Sequence, residues 1–126
     1  MRGFYKDWSK ATMERGPEGY ASYFAEDAVL LPPDAAPVSG RAAIREWQER
    51  QQSEATTRSV PEGISEDELQ VGGNWVIYRS TLKGKRVPKA GGEGQPFETK
   101  YFDVLRKKTD GSWEFARRMW SSNRQR

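Results

Sequence analysis

Two segments near the end of the chain bring an acid and a base to spacings at which they could act together. "FETKYFDVLRKK" and "WEFARRMWSS" read as strands, and the "TDGS" between them carries Asp110-Gly111, a strong short-range hairpin signal. Strand alternation puts Tyr101, Asp103 and Leu105 on one face and Phe102 and Val104 on the other. A two-residue turn at Asp110-Gly111 then sets Val104 opposite Arg117, Asp103 opposite Arg118 and Tyr101 opposite Trp120. Tyr101, Asp103, Arg118 and Trp120 therefore form one cluster on one face. An arginine beside a carboxyl lowers its pKa by about 1–3 units, which predicts an ionised Asp103. Such a group serves as a base or positions water, while Arg118 binds an anionic or carbonyl oxygen. The plainer alternative is a cross-strand ion pair on a solvated face, contributing roughly 0.2–1 kcal/mol.

Composition narrows the chemistry. The 126 residues contain no His and no Cys. Without them a protein-built zinc site is not expected, and Ser-His-Asp and Cys-His nucleophile systems are excluded. Any acid–base catalyst has to be Asp, Glu, Tyr or Lys, and no cofactor is expected. The charge of +3, from 21 basic and 18 acidic residues, is too mild to imply nucleic acid. Lys83, Lys85, Arg86 and Lys89 gather in "LKGKRVPK", and Arg124 and Arg126 lie at the C-terminus. With no interleaved aromatic platform they read as solvated, and a nucleic-acid contact stays the weakest alternative. No apolar run approaches the roughly 20 residues of a membrane span, and the start lacks an apolar leader. A cytoplasmic home is expected.

Positioning these residues requires a core, and at this length one domain over 1–126 buries roughly two thirds of its unfolded surface. Five Trp, five Tyr and five Phe must supply much of the packing. Phe4, Trp8, Ala11 and Thr12 fall at helical spacing and predict a helix from about Arg2 to Glu14. Gly16-Pro17 breaks it, and Pro17 opens a second helix to about Glu26, with Tyr20, Ala21 and Phe24 facing inward. "AVLLP" follows as a strand. Ser39 is placed to cap a third helix carrying Ala43, Ile44, Trp47 and Gln51 on one face. Beyond about Ser53 the period becomes that of strands, around a Gly72-Gly73-Asn74 turn and a Gly- and Pro-rich connection, "KRVPKAGGEGQPF". Helices first and sheet later is an α+β order, with an antiparallel sheet covered on one face.

"YFAEDAVLLPP…SGRAAIREW" and "YFDVLRKKTDGSWEFARRMWSSN" together resemble the SnoaL-like and ketosteroid-isomerase-like branch of the nuclear transport factor 2-like superfamily. The resemblance spans Trp8 to Asn123. It implies a cone of three helices packed on a strongly curved antiparallel sheet, an apolar cavity at the wide end, and a homodimer through the outer sheet face. It implies a small, largely apolar or carbonyl-containing ligand and acid–base chemistry of isomerase, cyclase, dehydratase or hydrolase type. Many members are non-catalytic binding or dimerisation modules, so fold alone does not fix function. The isomerase base falls near Pro32, which cannot accept a proton, and Asp34 lies two residues on. Asp27 matches an acid at the strand entry and reads as structural. The family's tyrosine donor falls near Trp8 or Ser9, with Tyr5 one turn earlier. The second aspartate, a donor, aligns with Asp103. Arg118 stands where the family often has an acid. The residues expected to line or act at a site are thus Asp103, Arg118, Tyr101, Trp120, Trp8, Tyr5 and Asp34. Phe102, Val104, Phe115 and Met119 are expected on the outer face.

Overall fold

The computed structural model describes residues 1–123. The basic tail residues Arg124 and Arg126 lie outside the described residues. The elements in order are α1 (Arg2–Ala21), β1 (Phe24–Leu31), β2 (Val38–Ser39), α2 (Arg41–Glu54), β3 (Thr57–Gly72), β4 (Trp75–Pro88), β5 (Gln95–Lys107) and β6 (Trp113–Ser122). All six strands form one sheet in the order β2-β1-β6-β5-β4-β3. The fold is α+β, with helices covering one face of an antiparallel-rich, curved sheet.

Two helical elements are present rather than the expected three. The segments on either side of Gly16-Pro17 run on as α1, sharply bent at Gly16 (φ 60°, ψ −137°), a conformation that suits glycine. The second segment stops at Ala21, not near Glu26, because Phe24 onward is already paired in β1. Its fold-back is tight. A side-chain carbon on Gly19 would collide with the Ala11 carbonyl, so only glycine lets the two halves of α1 touch. Trp8 Nε1 closes the bend by donating to the Tyr20 carbonyl at 3.0 Å. Ser39 does not cap α2; it lies in β2, and Gly40 (φ 95°) stands at the helix entry without a side-chain cap.

The sheet also departs from a purely antiparallel one. β1 runs parallel to β6, pairing Leu30 with Arg118, while the remaining ladders are antiparallel. The β5–β6 register keeps Asp103 opposite Arg118 and Tyr101 opposite Trp120, as expected, but by another route. The turn spans Lys108 to Ser112 rather than two residues, which moves the register by one. A bulge at Ala116 moves it back, since Val104 faces Arg117 whereas Leu105 faces Phe115. The bulge also turns Phe115 inward, so it is fully buried instead of lying on the outer face.

Phe24, Leu30, Ile44, Val76, Leu105 and Phe115 form the buried centre. Phe115 is its hub, with ring centroids 4.7 Å from Phe24, 4.8 Å from Trp8 and 5.0 Å from Phe4. The opposite face of the sheet leaves Trp75, Ile77, Phe102 and Met119 exposed. Among the described residues no helix is long and apolar enough to cross a membrane.

Candidate functional site

Three elements converge on Asp103. β5 points it beneath α1, β6 places Arg118 directly across, and the first turn of α1 brings Tyr5 over it. Arg118 Nη1 donates to Asp103 Oδ2 at 2.6 Å, and Tyr5 OH donates to the same oxygen at 2.6 Å. Asp103 is fully buried, and its Oδ1 has no partner, a costly arrangement for a carboxyl oxygen.

The charge balance at this carboxyl corrects one expectation. Burial pushes the Asp103 pKa above the ordinary carboxylate range, although the Arg118 charge and the Tyr5 hydrogen bond both oppose this. Attraction to an arginine lowers an acid's pKa where water already solvates both partners; removed from water, the desolvation of the carboxylate dominates. Burial likewise lifts Tyr5 far above its usual range, with Asp103 adding to the effect, so Tyr5 remains a hydroxyl donor. Burial pushes Tyr20 up to about 12.

Aromatic rings hold Arg118 in place. Its guanidinium carbon lies 4.2 Å from the Tyr101 ring centre, 4.7 Å from Trp8 and 5.2 Å from Phe115. Each contact favours the cation, the more so away from water. Arg118 then forms part of the wall of a cavity of about 450 Å³ between α1, α2 and the sheet. Trp8, Tyr20, Trp47, Phe97, Tyr101 and Trp120 supply the aromatic wall. Trp47 and Trp120 meet edge to face at 5.7 Å, and Tyr101 lies 6.1 Å from Trp120. Gly84 makes room for Phe97, because a side-chain carbon there would meet the Val60 carbonyl and come within 2.9 Å of the Phe97 ring. Pro33 and Ala35 of the β1–β2 loop form part of the same wall.

The residues singled out in the sequence therefore divide. Arg118, Tyr101, Trp120 and Trp8 line the cavity. Asp103 and Tyr5 do not; they sit behind Arg118. Asp34 is exposed at the tip of its loop in a left-handed conformation (φ 55°), between two wall residues but not itself one of them. Asp27 is occupied at the surface, where Arg106 Nη2 donates to its Oδ1 at 2.6 Å. Tyr20, Trp47, Phe97 and Arg86 were not expected in the wall. Tyr20 and Trp47 carried a signal as inward helix positions, whereas Phe97 and Arg86 lay in a segment that read as a loose connection.

A family model described as SnoaL-like domain matches residues 2–115. No curated protein matches the sequence significantly. Among solved structures, a ketosteroid isomerase-like protein from Erwinia carotovora atroseptica superposes with a TM-score of 0.82 at 22% identity, covering 98% of this chain and 94% of that one. ActVI-ORFA from Streptomyces coelicolor gives 0.74 at 20% identity, over 96% and 92%. An NTF2-like protein with a cystatin-like fold from Novosphingobium aromaticivorans gives 0.74 at 17%, over 97% and 79%. These likenesses establish a shared fold. With the family model covering most of its length, the chain belongs to the SnoaL-like domain family.

Proposed function

We propose that the cavity binds a small, largely apolar molecule and presents an oxygen of it to Arg118. The observation that carries this reading is the wall itself: six aromatic side chains around about 450 Å³, with a clamped guanidinium as its buried polar group. Cavities of this size and make-up suit small organic ligands, with a few polar groups fixing orientation. Asp103 and Tyr5 act on Arg118 from behind, the first through a buried ion pair and the second by bonding the same carboxyl oxygen.

A second reading adds acid–base chemistry at the Asp103–Arg118 pair. It is favoured by the orphaned Oδ1 and the raised pKa of Asp103, the profile of a proton carrier. Arg118 would polarise a carbonyl while Asp103 moves a proton, which requires Arg118 to shift aside.

One experiment addresses both. Thermal melts with a panel of small aromatic and alicyclic carbonyl compounds and acids should raise the Tm of the wild-type protein. Leu82→Trp, which fills the cavity wall, should abolish the shift. A shift that survives Leu82→Trp, or none at all, rules the cavity out. Binders recovered chemically unchanged after long incubation support binding alone; converted compounds support the second reading.

We further propose a homodimer through the exposed outer face. Trp75, Ile77, Phe102 and Met119 are each 38–47% exposed there, an apolar surface of the kind that marks interfaces. Sedimentation at micromolar concentration should give twice 14.4 kDa, and Met119→Lys should shift it toward the monomer. A monomeric wild type ends this proposal.

A further inference from the structure

We infer that the cavity is built for a flat aromatic carboxylate, its carboxylate held by Arg118 at the buried end and its rings between Trp47, Trp120 and Tyr101, with Arg86 drawing it in at the mouth. This inference rests on the cavity-binding reading above and narrows it to one chemical class.

The charge pattern of the wall is the first ground. Among the described residues its charged members are Arg86 and Arg118, and no carboxylate lines it. Asp103 lies behind Arg118, bonded to its Nη1 and outside the wall. Arg118 shares its charge with Asp103 behind it, while Arg86 at the mouth has no carboxylate partner among the described residues, so an anionic ligand would add the counter-charge the wall itself lacks.

The geometry of Arg118 is the second. Its bond to Asp103 uses Nη1, whereas a guanidinium carries five N–H donors in a planar fork. The rings of Tyr101 and Trp8 fix the plane of that fork, and a clamped planar fork matches a planar carboxylate better than a neutral carbonyl. The groups that act on Asp103 are Tyr5 and Tyr20 from α1, Tyr78 from β4 and Arg118 from β6. Among the described residues Arg118 is the cation that acts on Asp103.

Spacing is the third. Arg118 lies over Tyr101, and the Arg86 guanidinium lies 4.6 Å from the Phe97 ring centre. Tyr101 and Phe97 are four residues apart on β5, roughly 13 Å along a strand. Two or three fused rings fit between such ends. Arg86 is exposed, bonds the neutral Ser59 Oγ at 3.2 Å, and forms no ion pair among the described residues.

The test is calorimetric titration of the purified protein with 2-naphthoate and anthracene-2-carboxylate, each paired with its primary amide. The acids should bind about tenfold tighter than the amides, the difference between a charge-assisted and a neutral hydrogen-bonded contact. Arg86→Gln should slow association of the acids about threefold in stopped flow and leave the amides unchanged, as expected of a charge at the mouth. Asp103→Asn combined with Arg118→Gln removes both charges of the pair together and should erase the preference for acids. If acid and amide bind equally and Leu82→Trp blocks both, the carboxylate assignment falls while the cavity reading stands. If neither class binds, both fall. An acid preference that persists in the double variant overturns Arg118 as the anchor. Should that variant not fold, the acid-to-amide ratio of the wild type and the response of Arg86→Gln decide.

Discussion

Arg118→Ala should destabilise the protein by about 3–5 kcal/mol at neutral pH, because it leaves the Asp103 carboxyl buried with neither a counter-charge nor water. The side chains of the pair are 8% and 0% exposed, so solvent cannot take over the lost contact. Three aromatic contacts to the guanidinium go with it. By contrast, Arg79→Ala should cost under about 1 kcal/mol, although Arg79 Nε lies only 2.7 Å from Glu68, since that pair is open to solvent. Denaturant melts compare the two directly. The Arg118 result has a pH signature. Between the ordinary carboxylate range and the raised pKa of Asp103, the folded state keeps a proton that the unfolded chain has released. Stability from this group therefore falls as pH rises through that window. Removing Arg118 takes away a pKa-lowering influence and moves the upper edge of the window higher. The deficit of Arg118→Ala should thus grow with pH and shrink in acid, and adding Asp103→Asn should flatten it. Equal stability of wild type and Arg118→Ala across pH would remove the buried pair from any account of this fold.

Gly19→Ala should cost about 3 kcal/mol, the upper part of the usual overpacking range. The obstacle is the Ala11 carbonyl, which belongs to the backbone of the same helix and cannot swing away as a side chain would. Relief requires opening the bend of α1, which strains the Trp8–Tyr20 hydrogen bond and the Trp8 ring on the cavity wall. Gly3→Ala is the control, because a side-chain carbon there meets nothing within 4 Å and alanine favours a helix. Paired melts should show a large loss for Gly19→Ala and none for Gly3→Ala. The Gly19 variant should also lose Tm shift with cavity ligands, since Trp8 and Tyr20 both belong to the wall.

These two sites mark where local patterns in the chain carry information and where they do not. The break at Gly16-Pro17 was legible because a glycine and a proline act on their own residues. That the two halves would fold into contact at Gly19 was not, since nothing in the residue types marks the approach. The β5–β6 face was legible from alternation, and Asp103 opposite Arg118 emerged because a longer turn and the Ala116 bulge shift the register in opposite senses. Phe115 sits on the far side of that bulge, and its face was accordingly misread. Tyr5 as the partner of Asp103 had no local signal, because the two lie 98 positions apart. The sign of the Asp103 shift depended on depth of burial, which a strand pattern indicates only as inward or outward.

The parallel pairing of β1 with β6, and the reach of Tyr5 to Asp103, also govern how the chain assembles on the ribosome. Translation at about 5–20 residues per second delivers Asp103 roughly 5–20 s after Tyr5. Until β6 emerges, Phe4, Tyr5 and Trp8 have no Phe115 to pack against, and β1 lacks its neighbour on one edge. The aromatic side chains of α1 thus stay in water through the synthesis of β3, β4 and β5, and this part of the core closes only once β6 supplies Phe115.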